Sequence, residues 1–133
     1  MTLVVDASVV AKWVMNEDDS DRALTLRAET DLIAPSLIVA EVGNALWKAV
    51  RRGEVKKLDA LDALSVAFGP LHAIIPTEEF GNRALELAIA LAHPVYDCVY
   101  LALAERQRAT IISADRALLR AAKRVKGIKT REL

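Results

Sequence analysis

Thr2-Leu3-Val4-Val5-Asp6-Ala7-Ser8-Val9-Val10-Ala11-Lys12-Trp13-Val14-Met15 opens as a short apolar run, stops at an aspartate and passes straight into apolar residues at helical spacing. Val4 and Val5 are β-branched and favour extended backbone, whereas Val9, Val10, Trp13 and Val14 mark one face of a helix over Ala7 to Met15. A strand without polar alternation that runs directly into a helix is the building unit of a parallel sheet covered on both faces. Short apolar runs recur at Leu32 to Ala34, Leu71 to Ile75 and Thr110 to Ser113. The intervening sequence predicts helices over Asp19 to Glu29, from a cap at Ser36 to about Arg52, over Lys56 to Phe68, over Glu79 to Ala92 behind a cap at Thr77, over Val95 to Arg108 behind Pro94, and over Arg116 to Arg124. Ile128 to Thr130, after a turn at Gly127, adds an edge strand. The expectation is an α/β fold, a helix-flanked parallel sheet in one domain spanning 1–133, with ligands at the carboxyl ends of the strands.

A chain of 133 residues that is 53% hydrophobic can bury one sizeable core, and its 18 basic and 18 acidic side chains cancel. The total charge therefore argues for no particular partner, but its distribution is uneven. Residues 1–45 carry eight acids against three bases, and residues 105–133 carry nine bases against three acids. An acidic site beside a basic margin suits a cation-using enzyme acting on a polyanion, and a charged tail that maintains solubility suits the pattern as well. The lone Cys98 excludes an intrachain disulfide and fits a reducing cytoplasm. Asp6 interrupts the first apolar run, so no signal peptide is expected, and no stretch reaches membrane-spanning length.

Asp6 closes the first strand and Asp115 follows the strand at Thr110 to Ser113, so a parallel sheet brings both to one edge. Each also stands before a helix, where aspartate is a favoured cap. Asp97 lies in a helix whose neighbours Val95, Cys98, Val99, Tyr100, Leu101, Ala102 and Leu103 leave it almost wholly apolar, with no cation close in sequence. A charge there caps the first turn or binds a metal. Glu41 shares a narrow polar stripe with Asn44 and Lys48, opposite Ile38, Val42, Ala45 and Ala49, and reads equally as site or surface. Carboxylates converging on one edge repel unless cations occupy it, and hard oxygen ligands select Mg²⁺ or Mn²⁺. His72 and His93 have no metal-ligand spacing, which disfavours zinc.

The segments Val4 to Ser8, Ser36 to Leu46, Tyr96 to Ala104 and Ile111 to Asp115 stand in the order seen in PIN domains. The chain resembles that family throughout, and in length and organisation it looks like the VapC toxins. The resemblance implies a three-layer α/β/α sandwich with a mainly parallel central sheet. It implies Asp6, Glu41, Asp97 and Asp115 as an acidic quartet around Mg²⁺ or Mn²⁺, with Ser113 and Asn44 in support. The implied activity is hydrolysis of RNA phosphodiesters by the toxin of a toxin-antitoxin pair, with a cognate antitoxin and a homodimer as partners. Lys48, Arg51, Arg116 and Arg120 are candidate phosphate contacts, and surface solubility explains them equally well. Many relatives carry a further acid just after the last Asp, whereas Arg116, Ala117 and Leu118 follow here, so a second metal is expected to bind weakly.

A haloacid-dehalogenase-like phosphatase needs a second Asp where this chain has Ser8, and a receiver domain needs a phospho-acceptor Asp where Pro76 and Thr77 follow the central strand. The remaining alternative is a non-catalytic PIN-like module that binds RNA or protein, and the intact quartet argues against it.

Overall fold

A computed structural model describes residues 1–133. Five strands, β1 (Leu3–Val5), β2 (Leu32–Pro35), β3 (Ala73–Ile75), β4 (Thr110–Ser113) and β5 (Lys129–Glu132), form one sheet in the order β3-β2-β1-β4-β5. Every pairing is parallel. β1 and β2 are buried along their whole length, as apolar strands covered on both faces must be.

The chain moves outward from β1 through β2 to β3, then returns to place β4 on the other side of β1. That reversal makes a topological switch point, where the loops after β1 and β4 diverge and leave a crevice. Val5 is in register with Ile112, so Asp6 and Ser113 meet there.

The helices are α1 (Ala7–Val14), α2 (Ser20–Thr25), α3 (Leu37–Arg51), α4 (Lys57–Val66), α5 (Gly81–Leu91), α6 (Val95–Gln107) and α7 (Arg116–Lys123). α1 packs on α2 and α3, and α3 on α4; α6 packs on α5 and lies across β1, β2 and β4. Cys98 to Ala104 are all buried, which agrees with the apolar reading of α6. No single helix is long and apolar enough to cross a membrane.

Several boundaries differ from expectation. The helix predicted over Asp19 to Glu29 is α2, which starts at Ser20 because Asp19 adopts a left-handed conformation, followed by a 3₁₀ turn at Leu26–Ala28. α4 is shorter than Lys56 to Phe68, β3 is shorter than Leu71 to Ile75, and the edge strand lies one residue later and runs to Glu132.

Ser36 and Thr77 were expected to cap their own helices, and neither does. Their hydroxyls instead pair at 3.0 Å; Thr77 Oγ1 accepts from the Leu37 amide at 2.7 Å and Ser36 Oγ from the Thr77 amide at 3.0 Å. The exchange satisfies an orphan amide of α3 and ties the chain after β2 to the chain after β3. Thr77 itself starts a 3₁₀ turn, Thr77–Phe80, so α5 begins at Gly81.

Candidate active site

The loop leaving β1 carries Asp6, which is only 6% exposed. It occupies the cap position of α1 but makes no side-chain cap bond, so capping does not explain it. Oδ1 accepts from Ser8 Oγ at 2.6 Å and Oδ2 from Ser113 Oγ at 2.7 Å. Each serine oxygen in turn accepts a backbone amide, Ser8 from Ala114 at 3.0 Å and Ser113 from Asp115 at 2.8 Å. Two amides after β4 thus reach the carboxylate through two hydroxyls. Burial nevertheless dominates and raises the Asp6 pKa to about 6, with the charge of Asp115 adding to the rise.

Around this corner stand the other three predicted acids. Glu41, on α3, accepts from the buried Tyr100 hydroxyl of α6 at 2.6 Å. Burial lifts the Glu41 pKa first; the Tyr100 bond opposes the rise, and the charges of Asp6 and Asp97 add to it. Asp97 lies in the first turn of α6, whose cap position is Pro94, and its side-chain hydrogen bond is between Oδ2 and His93 Nε2 at 2.6 Å. Asp97 therefore has a hydrogen-bond partner close in sequence, which weighing His93 only for metal-ligand spacing did not find. His93 lies four residues back across Pro94, and the start of α6 brings the ring onto Asp97.

Asp115 is the acid for which the capping reading holds. Its Oδ1 accepts from the Ala117 and Leu118 amides at 2.9 and 3.4 Å, at the start of α7.

Two open cavities lie beside Glu41 and Asp115. A cavity of about 470 Å³ is lined by Glu41, Asn44, Lys48 and Tyr96, and one of about 350 Å³ by Ser8, Lys12, Glu17 and Asp115. Both include Ala7 and Ala45, so they adjoin along the α1–α3 contact. Asn44 and Lys48 are thus gathered with Glu41, as their spacing on α3 required. Arg51 instead stacks over Trp47, 5.0 Å from the ring centroid, and Arg116 pairs with Glu132 at 3.1 Å. Neither lines the groove, nor does the exposed Arg120.

None of Asp6, Glu41, Asp97 and Asp115 forms an ion pair with Lys or Arg. As they stand, no three Asp, Glu, His or Cys side chains converge tightly enough to hold one ion together. Three of the acids have separate partners: Tyr100 for Glu41, His93 for Asp97 and the α7 amides for Asp115. The donor chemistry still fits a hard divalent cation, since the set is all oxygen and Asp6 is buried without a counter-charge.

Sequence reasoning passed over Ser8, Lys12, His93, Tyr96 and Tyr100. Ser8 was legible, lying two residues after Asp6 in the same helix start. Tyr100 looked like core and is core by its ring; only the fold shows its hydroxyl reaching α3.

The PIN domain family matches residues 3–124. The chain belongs to the PIN-domain family. Among relatives of this PIN domain, ribonuclease VapC3 of Pyrobaculum aerophilum is 33% identical over 121 residues, 89% of this chain and 92% of that protein. A crystal structure from Pyrobaculum aerophilum superposes with a TM-score of 0.77 at 24% identity, covering 98% of this chain and 83% of the other. VapC20 of Mycobacterium tuberculosis, a sarcin-ricin loop cleaving toxin, superposes with a TM-score of 0.72 at 14% identity, over 90% of this PIN domain and 95% of that chain. VapBC2 of Rickettsia felis, bound to a DNA fragment from its promoter, gives 0.70 at 14% identity over 100% of this chain and 99% of the other. At these identities the structural likenesses establish the fold.

Proposed function

We propose that this PIN domain, one domain over residues 1–133, is a metal-dependent endoribonuclease and the toxin of a VapBC-type pair. The observation that carries the reading is Asp6: a buried carboxylate with a pKa of about 6 and no counter-cation, beside three other acids at a sheet switch point. Asp6 and Asp97 would be the direct ligands of Mg²⁺ or Mn²⁺, Asp115 would complete the set, and Glu41 would bind the ion or steer the attacking water. A bound divalent ion supplies Lewis acidity, activating water and neutralising charge on the phosphodiester.

The chain's own residues do the rest. Ser8 and Ser113 hold Asp6 in one orientation, Tyr100 holds Glu41 toward the groove, and His93 holds Asp97. Asn44 and Lys48 line the groove where a phosphate would lie.

Likeness to ribonuclease VapC3 supports the chemistry, and likeness to a VapBC complex supports a small antitoxin partner. A free, buried Cys98 suits a cytoplasmic setting. A homodimer is supported by Leu58 and Leu61 of α4, exposed at 72% and 53%, which extend the half-buried Leu64 and Phe68. Light scattering at micromolar concentration should report the dimer, and monomer alone would refute it.

The deciding assay is cleavage of RNA by purified protein with Mn²⁺ and with EDTA. Cleavage should need the metal and leave 5′-phosphate and 3′-hydroxyl ends. Cleavage that persists after exhaustive chelation would overturn the metal reading, and none under any condition would leave a non-catalytic binding module.

A further inference from the structure

Lys12 stands one helical turn after Ser8, the serine that clamps Asp6, so the two share the face of α1 turned to the acidic corner. Its side chain is only 13% exposed, unusual for a lysine outside a fully desolvated pair. Nζ donates to the Asp18 carbonyl at 2.7 Å and to Glu17 Oε2 at 3.3 Å. An ammonium has three N–H donors, so one is left without a protein partner. Lys12 and Glu17 line the same cavity as Ser8 and Asp115, and Lys12 is the only Lys or Arg in that lining. Lys48 is the corresponding lysine of the adjoining cavity, beside Glu41. Each cavity therefore carries one lysine beside one of the predicted acids, Lys12 with Asp115 and Lys48 with Glu41, and Lys12 is the one locked in place.

We propose that Lys12 is the phosphate contact on the Asp115 side of the groove, held ready by Glu17 and the Asp18 carbonyl; this rests on the ribonuclease reading. A polyanion lying along cavities that carry Glu41, Glu17 and Asp115 needs positive charge beside them, and a lysine already immobilised loses less side-chain freedom on binding than an exposed one. Glu17 both positions the ammonium and competes for it. Removing Glu17 thus frees positive charge for the RNA, while removing Lys12 takes that charge away.

The opposition separates this role from a merely structural ion pair. The experiment is fluorescence anisotropy with a labelled mixed-sequence RNA in Ca²⁺, from 50 to 300 mM KCl, on wild type, Lys12→Ala, Lys12→Arg, Glu17→Gln and the control Lys129→Ala. Lys129 lies at the far end of the sheet, in register with Thr110. Lys12→Ala should weaken binding about 5- to 10-fold at the lowest salt and reduce the log–log salt slope by about one. Lys12→Arg should recover most of the affinity, Glu17→Gln should bind as tightly as wild type or more tightly, and Lys129→Ala should change little.

A structural pair would instead make Lys12→Ala and Glu17→Gln lose thermal stability together and leave the salt slope alone. Wild-type affinity and slope in Lys12→Ala would sink this inference while leaving the ribonuclease reading standing. Absence of RNA binding by wild type would sink both.

Discussion

Asp6 and Asp115 occupy similar local contexts, one and two residues beyond neighbouring parallel strands and at the cap positions of α1 and α7. Their side chains do opposite things. Asp115 is exposed and accepts two amides of its own helix, an arrangement worth about 1 kcal/mol to helix stability. Asp6 ignores its helix, is buried, and depends on two serine hydroxyls that do not fully offset its desolvation. One carboxylate stabilises the fold, whereas the other, when ionised, works against it. A residue kept where it weakens the apo protein is the stronger candidate for a functional ligand.

Asp6→Asn tests that contrast with the largest expected effect. RNA cleavage should be abolished while the metal-free protein becomes more stable at neutral pH. The Asp6 pKa is raised from 3.8 to about 6, so the folded state holds the proton more tightly than the unfolded one. Stability from this residue should be complete below about pH 4, fall as pH rises through 4 to 6, and stay flat above; the loss is at most ~3 kcal/mol. Urea unfolding from pH 4 to 8 should show that decline in wild type and not in the variant. Parallel curves would remove the energetic distinction between the two aspartates.

Asp97→Asn should come next. The cap alternative predicts unchanged activity, because Asn caps nearly as well as Asp. Since Asp97 makes no cap bond, cleavage should collapse, the metal-free melting temperature should hold or rise, and the stabilisation given by Mn²⁺ should shrink. Wild-type cleavage with an undiminished Mn²⁺ effect would return Asp97 to a structural role.

Ser113→Ala sharpens the contrast from the serine side. It strips Asp6 Oδ2 of its donor and leaves the Asp115 amide without its acceptor. Mn²⁺ affinity should drop roughly 10- to 100-fold, as for other outer partners of a ligand, with the deficit greater at pH 6 than at pH 8 because the Asp6 carboxyl then holds its proton more tightly. Calorimetric titration at both pH values reads this directly, and a deficit equal at both would break the link to Asp6 protonation.

The smallest effect separates cap from ligand at Asp115. Asp115→Asn should keep the cap and change stability by less than about 0.5 kcal/mol, whereas Asp115→Ala should cost ~1 kcal/mol. Both should lose cleavage if the carboxylate also serves the metal. Full activity in the Asn variant would make Asp115 a cap only.

The fold was legible because its signals are local and repeated. Fully apolar strands followed at once by helices leave few arrangements besides a covered parallel sheet, and β1, β2 and β4 fall where the apolar runs place them. The caps were misread because Ser36 and Thr77 satisfy each other's segments across the sheet edge, a choice that depends on a neighbour 41 residues away. His93 was set aside because histidine spacing was weighed for zinc, whereas its partner is a carboxylate one turn on.

Sequence alone determined the identity of the four acids, their order along the chain and their attachment to strand ends or helices, because backbone periodicity is a local property. It also carried the PIN resemblance, through motifs whose elements form where expected. Tertiary structure alone decided which acid is buried, that Ser8 and Ser113 clamp it, that Tyr100 and His93 hold its neighbours, and that Lys12 enters the groove while Arg51 and Arg116 turn elsewhere. Burial, desolvation and charge coupling depend on what the rest of the chain places around a residue, and the residue type does not state them.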